Sequence, residues 1–138
     1  MSDIFLDTNI LVYAVDKDAG ERHTRAKAIL KPFYADQAPP IVSAQVLHEF
    51  TNRLYRWQLP DEKIAILVEP MRYWRVIPND WALFEDGLKL KQRYQVSFWD
   101  SLILAAAIRA GAREIWSEDF NSGQSYDGVR VINPLMDR

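Results

Sequence analysis

The fold is decided near the start of the chain by the stretch Ile4-Phe5-Leu6-Asp7-Thr8-Asn9-Ile10-Leu11-Val12-Tyr13-Ala14. Its first three residues are apolar without alternation, which is typical of a strand buried on both faces in a parallel sheet. The strand ends at Asp7, and Thr8 or Asn9 can cap the helix that follows. We therefore expect Asp7 at the carboxyl end of a central strand, the edge where open α/β sheets bind ligands. The alternative is that Asp7 only favours the N-terminus of that helix through its charge.

The composition bounds the class of protein. The chain has 138 residues, enough for one domain, residues 1–138, with its own core. It contains no cysteine, which excludes a disulfide framework, a thiolate zinc site and a cysteine nucleophile. The net charge of −2 is not that of a basic nucleic-acid-binding domain. Any contact with nucleic acid must therefore use local basic patches or a metal ion that offsets the acids.

No targeting or membrane signal is apparent in the sequence. Asp3 stands where a secretory signal would have a basic region followed by a long apolar run. The longest strongly apolar run, residues 102–108, is too short to cross a bilayer. We therefore expect a soluble cytoplasmic protein.

Strand and helix patterns alternate along the rest of the chain. This alternation predicts an α/β fold with a central, mainly parallel sheet of about five strands and right-handed crossovers. The predicted strands are residues 4–6, 41–42, 73–77, 114–116 and 129–132.

Two of these elements carry finer predictions. Arg130 interrupts the apolar pattern of the last strand, which favours an edge position in the sheet. The helix predicted over residues 81–94 is expected to turn Trp81, Phe84 and Leu88 toward the core.

Four carboxylates recur where predicted strands end or in the helices that follow them. Asp7 ends the first strand, and Asp119 follows the fourth. Glu49 lies in the second turn of the helix after the second strand, and Asp100 lies in the first turn of the most apolar helix. If the strands are parallel, all four side chains approach the same edge of the sheet.

Each of these carboxylates also has a simpler explanation. Glu49 and Arg53 are spaced to form a surface ion pair on one helix. Ser97 and Asp100 fit a capping box in which Asp replaces the usual Glu or Gln. Residues 117–119 fit a polar turn.

The convergence of the four acids nevertheless predicts a metal site. Carboxylates that share a cleft raise one another's pKa, which a fold avoids unless a cation lies between them. Oxygen ligands without Cys or clustered His favour Mg²⁺ or Mn²⁺ over zinc. Such a site suits phosphodiester hydrolysis, with one metal or two, and one carboxylate can accept a proton from the attacking water.

Rival chemistries find little support in the sequence. His48 and Glu49 match half of a zinc protease motif, but the second histidine is replaced by Asn52. No glycine-rich phosphate loop or nucleophile elbow is present. A phospho-acceptor role for Asp7 is weakened because Asn9 stands where a second aspartate is needed.

Taken together, the motifs resemble those of PIN-domain nucleases, and the chain length and ending resemble the VapC-type toxins of bacterial toxin–antitoxin pairs. The resemblance covers nearly the whole chain. The segments that carry it are residues 5–11 (FLDTNIL), the lone Glu49, residues 99–103 (WDSLI), residues 117–120 (SEDF) and residues 127–134 (DGVRVINP).

The resemblance implies an α/β/α sandwich and a Mg²⁺- or Mn²⁺-dependent endoribonuclease. It also implies a homodimer and a cognate antitoxin that lays a helix or tail across the active-site groove. The family's catalytic and metal-binding acids correspond to Asp7, Glu49, Asp100 and Asp119.

Residues beside these acids have more open assignments. The resemblance implies supporting roles for the hydroxyls of Thr8 and Ser117. It favours Asp119 over its neighbour Glu118 as the fourth acid, with Glu118 kept as an alternative.

RNA contacts are expected from Arg53, Arg22 and Arg25, or these side chains are simply solvated. Trp57, Tyr55 and Trp99 are expected either to stack on bases or to fill the core or a protein interface. A non-catalytic PIN-like module that binds RNA or protein is the alternative function.

Overall fold

The computed structural model describes residues 3–35 and 38–136, and in this part of the chain a six-stranded sheet forms the centre. Strand order is β3-β2-β1-β4-β6-β5, in which every pairing is parallel except that of β5 with β6. The strands are β1 Ile4–Leu6, β2 Ile41–Ser43, β3 Arg75–Ile77, β4 Glu114–Trp116, β5 Ser125–Tyr126 and β6 Val129–Ile132.

Six α-helices connect and cover these strands within the described ranges. The helix α6 is the most buried of them, as its apolar sequence predicts, and it packs mainly against α5. The helices are α1 Thr8–Val15, α2 Glu21–Tyr34, α3 Ala44–Arg56, α4 Asp61–Val68, α5 Trp81–Tyr94 and α6 Phe98–Arg109.

The predicted fold class is confirmed, and the sheet has one strand more than expected. The additional strand β5 pairs with β6 as a hairpin around Asp127 and Gly128, both of which have positive φ. This is the backbone pattern of a tight two-residue hairpin turn. The prediction that residues 129–132 form an edge strand is therefore wrong, because β6 lies between β4 and β5.

The inward face of α5 also differs from the prediction. Trp81 is 70% exposed and Leu88 is 41% exposed, while Leu83 and Leu90 are buried. A Cβ atom at Gly87 would lie 2.7 Å from the side chain of Leu102 on α6. Because α5 approaches α6 closely at Gly87, the face of α5 that contains Gly87 is buried. The predicted face, which carries Trp81 and Leu88, is exposed instead.

The parallel arrangement of the strands brings the residues that follow them to one edge of the sheet. Because β1 and β4 are parallel neighbours, with Leu6 beside Trp116, the residues that follow both strands emerge together. Helix α3 begins directly after β2, at the same edge. No helix in the described part of the chain is long and apolar enough to cross a membrane.

Candidate active site

Asp7 lies at the centre of this edge and is only 5% exposed. It caps helix α1, since the Thr8 backbone N–H donates to its Oδ1 at 2.8 Å. Its other oxygen, Oδ2, accepts a hydrogen bond from Ser117 Oγ at 2.7 Å. Asp7 therefore takes the capping position for which Thr8 or Asn9 was expected, and it also lies among the other acids.

Glu49 is connected to this centre through Thr8. The Thr8 hydroxyl donates to Glu49 Oε1 at 2.7 Å, across 41 residues of sequence. Among the described residues, Glu49 forms no ion pair with Arg53. The contact to Thr8 thus points Glu49 toward the end of β1, away from the surface pair that helical spacing allowed.

Ser117 organises the loop that carries the remaining acids. It is fully buried after β4, and its Oγ accepts a hydrogen bond from the Asp119 backbone N–H at 3.0 Å. The intervening Glu118 is engaged elsewhere, because it accepts hydrogen bonds from the Tyr13 hydroxyl and from Arg22 Nε. The two adjacent acids therefore have different surroundings, and Asp119 interacts with Asp7.

Asp100 is positioned by the start of α6. Its backbone N–H donates to Ser97 Oγ at 3.1 Å, so the predicted serine cap is present. The side chain of Asp100 is half-buried, and the negative charges of Asp119 and Glu49 act on its carboxyl group. The cap and the proximity to the other acids are thus compatible explanations for the same residue.

Burial, and to a smaller extent the charges of neighbouring acids, raises the pKa of three of the carboxyl groups. Burial raises the pKa of Asp7 from 3.8 to about 7, against the lowering effect of its bonds from Ser117 and Thr8, and the charges of Asp119 and Asp100 add to the rise. Partial burial raises the pKa of Asp100 and of Asp119 above the ordinary range, and the charge of Glu49 contributes to both. Together with the hydrogen bonds made by Thr8 and Ser117, these mutual charge effects indicate that the four predicted acids lie near one another at the same edge of the sheet.

The donor chemistry of the cleft fits a hard divalent cation. Within residues 3–35 and 38–136, no three His, Asp or Glu side chains stand close enough to enclose a metal ion. Magnesium does not require such an enclosure, because it usually keeps several waters and binds through one or two carboxylates together with substrate phosphate. A bound cation would offset the cost of charging Asp7, which arises mainly from its burial and to a smaller extent from the charges of Asp119 and Asp100.

The three arginines expected at RNA have separate surroundings. Arg22 pairs with Glu118 at 3.4 Å, and Arg25 contacts Glu21 and the backbone oxygen of Leu135, each at 3.0 Å. Arg53 is partly buried on α3. Arg22 and Arg25 line one shallow pocket beside Glu118, so they lie next to the acid-bearing loop.

Sequence reasoning missed two residues next to the acids. Tyr13 binds Glu118 from α1, a contact that joins positions 105 residues apart and leaves no local signal. Gln45 lies one helical turn before Glu49 on α3 and is buried. That i, i+4 spacing was the signal that could have identified it.

We expect Ser117→Ala to lower the free energy of unfolding by about 1–3 kcal/mol, because Asp7 loses a buried hydrogen-bond donor and the Asp119 N–H loses its acceptor. Urea unfolding at about pH 8, where Asp7 is charged, measures the effect. Ser125→Ala removes an exposed hydroxyl and serves as the matched control. Equal unfolding midpoints for both variants would show that the Ser117 hydroxyl contributes nothing.

The fold and the site define an α/β domain with a cleft of carboxylates at the carboxyl ends of its central parallel strands. The family model for the PIN domain matches residues 4–122, and the chain belongs to the PIN domain family. Curated protein sequences include no significant match to the chain.

Solved structures share the fold at low sequence identity. The toxin VapC20 of Mycobacterium tuberculosis, described as cleaving the sarcin-ricin loop, has a TM-score of 0.63 and 24% identity, over 86% of this chain and 91% of that one. A toxin–antitoxin complex from Klebsiella pneumoniae gives a TM-score of 0.68 and 22% identity, over 95% and 97%. The DNA-bound VapBC of Salmonella typhimurium gives 0.69 and 15%, over 95% and 97%.

Proposed function

We propose that this protein is a metal-dependent endoribonuclease that hydrolyses RNA phosphodiester bonds and acts as the toxin of a toxin–antitoxin pair. The observation that supports the proposal most strongly is the convergence of Asp7, Asp100, Asp119 and Glu49 on one cleft of a PIN domain. The similarity to a sarcin-ricin loop cleaving toxin and to VapBC complexes agrees with it.

The acids have two roles in the proposed reaction, metal binding and acceptance of a proton from water. Asp7, Asp119 and Asp100 would hold Mg²⁺ or Mn²⁺, with Glu49 completing the set. The bound ion would neutralise charge on the phosphate and lower the pKa of a water molecule. Thr8 and Ser117 hold the carboxylates in orientation by hydrogen bonds at 2.7 Å. Glu49 or Asp100 accepts the proton from the attacking water.

The partners follow from the same family context. We propose a cognate antitoxin, because several of the similar structures are toxin–antitoxin complexes. A homodimer and an RNA substrate belong to the proposal as well, with Arg22, Arg25 and Arg53 as candidate phosphate contacts. Exposed aromatic side chains such as Tyr55 and Trp57 are available for these interfaces.

A comparison of the two adjacent acids tests which one serves the reaction. We expect Asp119→Asn to lower cleavage about a hundredfold, whereas Glu118→Gln retains most of the activity because Gln still accepts from Tyr13. Initial rates on one fluorogenic oligoribonucleotide give the comparison. A larger loss in Glu118→Gln would reverse the assignment.

The proposal as a whole is tested by an RNA cleavage assay on purified protein. Cleavage should require Mg²⁺ or Mn²⁺ and stop on chelation. The alternative is a PIN-like module that binds RNA or protein without cutting. One observation favours it: among the described residues, no three acidic or histidine side chains are close enough together to hold a metal ion. It predicts RNA binding that divalent ions barely change and no cleavage under any metal condition.

A further inference from the structure

A pocket of about 400 Å³ adjoins the acid cleft formed by Asp7, Glu49, Asp100 and Asp119. Its volume lies in the range of small-molecule sites, roughly 300–1,000 Å³. Glu49 belongs both to this pocket and to the cleft, and Asp100 directly follows Trp99 in sequence. A ligand in the pocket would therefore lie beside the candidate catalytic acids. The residues that line it are Gln45, His48, Glu49, Asn79, Trp99 and Leu102.

Gln45 is the least explained polar group of the pocket. Its side chain is nine-tenths buried, and its Nε2 donates to the backbone oxygen of Trp99 at 3.3 Å, which fixes the orientation of the amide. Its Oε1 is buried and has no hydrogen-bond donor among the described residues. Buried acceptors are nearly always paired, because leaving one unpaired is costly. Oε1 therefore requires a donor that the residues in the described ranges do not supply.

Asn79 and Trp99 add complementary features around Gln45. Asn79 Oδ1 accepts a hydrogen bond from the Gln45 backbone N–H at 3.2 Å, which leaves its Nδ2 as a donor. Trp99 is 63% exposed, and its ring is held by an edge contact with Phe98 at 5.4 Å. The lining of the pocket thus combines a residue with an unpaired buried acceptor, an amide donor and an exposed aromatic surface.

We propose that this pocket is the subsite for a nucleobase next to the scissile phosphate, with Trp99 stacking on the base and the amides of Gln45 and Asn79 reading its edge. A nucleobase is planar, aromatic and carries both N–H donors and acceptors on its edge, which matches all three features. It is also attached to the phosphate by a single sugar, so RNA bound at the acids must place a base in this neighbourhood. This inference rests on the proposed RNA cleavage.

Two variants separate the parts of the subsite. Stacking is tolerant of sequence, so Trp99→Ala should lower cleavage of all substrates about tenfold, whichever base is varied. An edge hydrogen bond depends on the base, so Gln45→Met should reduce the preference for the favoured base about threefold to tenfold. Trp81→Ala and Gln92→Met, which alter exposed residues outside the pocket, should behave as wild type.

The experiment measures cleavage of oligoribonucleotides varied at each position around the cut. It also measures the binding of a fluorescein-labelled, non-cleavable 2′-O-methyl RNA by anisotropy. Thermal melting verifies that each variant is folded. Asn79→Ala, at an exposed loop position, replaces Gln45→Met if burial makes the latter unstable.

The outcomes distinguish the subsite from the reaction. Cleavage by wild type that neither pocket variant alters, in rate or in base preference, overturns the subsite and leaves the proposed function standing. Binding of the non-cleavable RNA that needs Trp99 but not Trp81, without cleavage by any protein, supports the subsite and overturns the nuclease. A Trp99→Ala effect confined to association with a partner protein would assign the pocket to a protein interface and overturn the proposal.

Discussion

Asp7→Asn is expected to lower metal-dependent RNA cleavage by about a hundredfold or more while leaving the fold intact. Asn keeps the size of the side chain and an oxygen for the Thr8 N–H, and its Nδ2 can donate to Ser117 Oγ. The substitution therefore removes the central negative charge and little else. Initial cleavage rates at saturating Mg²⁺ and at saturating Mn²⁺ measure the loss.

Calorimetric titration of Mn²⁺ shows whether the loss arises at a metal site. Wild type should bind the ion, and Asp7→Asn should bind it much more weakly or not at all. Asp86→Asn, which neutralises an exposed acid on α5, controls for the change in net charge. Full cleavage by pure, folded Asp7→Asn protein would sink the assignment of the acids as one catalytic metal site.

The position of the candidate site could be predicted from the sequence because each strand and the residues that end it are marked by a local pattern. Asp7 directly follows a short apolar run and Asp119 lies three residues beyond Trp116, and parallel strands place the residues after both strands at one edge. Local sequence also predicted the serine cap at Ser97, which is present.

The errors in the fold arose where tertiary packing overrode a local pattern. On α5, the large residues Trp81 and Leu88 suggested the buried face, but Gly87 carries the close contact with α6. Strand β5 is only two residues long, so no apolar pattern marks it. The Asp127-Gly128 pair was a usable hairpin signal, and it also accounts for the error about the edge strand.

The fine structure of the site depended on contacts between residues distant in sequence. Helical spacing alone placed Glu49 equally well beside Arg53 or in the cleft, and only the hydroxyl of Thr8, 41 residues away, decides between them. In the same way, the hydroxyl of Tyr13 separates the surroundings of Glu118 from those of Asp119. Such choices follow from the packing of α1 against α3 and the loop after β4, which no local pattern encodes.

The stability of the metal-free protein is expected to fall as the pH rises between about 4 and about 7. The pKa of Asp7 is 3.8 before folding and about 7 in the folded protein, because burial disfavours its charge. A group that binds its proton more tightly when folded stabilises the fold below the lower value, and this contribution is lost as pH rises through the higher one. The raised pKa values of Asp100 and Asp119 act in the same direction.

Two carboxyl groups with lowered pKa values, Asp80 and Asp127, act in a different pH range. The pKa values of Asp80 and Asp127 are lowered by hydrogen bonds, Asp80 mainly by Arg109 and Asp127 mainly by Tyr94. Their contributions are therefore lost on acidification, below their ordinary pKa of 3.8. Between about pH 4 and pH 7 the loss of stability attributable to Asp7 is on the order of 2–4 kcal/mol.

Urea unfolding in the presence of a chelator, at about pH 5 and at about pH 8, measures this loss of stability. The Asp7→Asn variant should lose much less stability over the same pH range. At about pH 8 it should therefore be more stable than wild type. Adding a divalent cation should restore the stability of wild type at about pH 8, because the ion binds the charged carboxylates only in the folded state. At a cation concentration a hundredfold above the dissociation constant, the gain in stability is about 2.7 kcal/mol. The same ion should stabilise Asp7→Asn far less. Equal pH dependence in the two proteins would mean that Asp7 is not the buried charge that limits stability, and equal stabilisation by the ion would mean that the cation binds elsewhere.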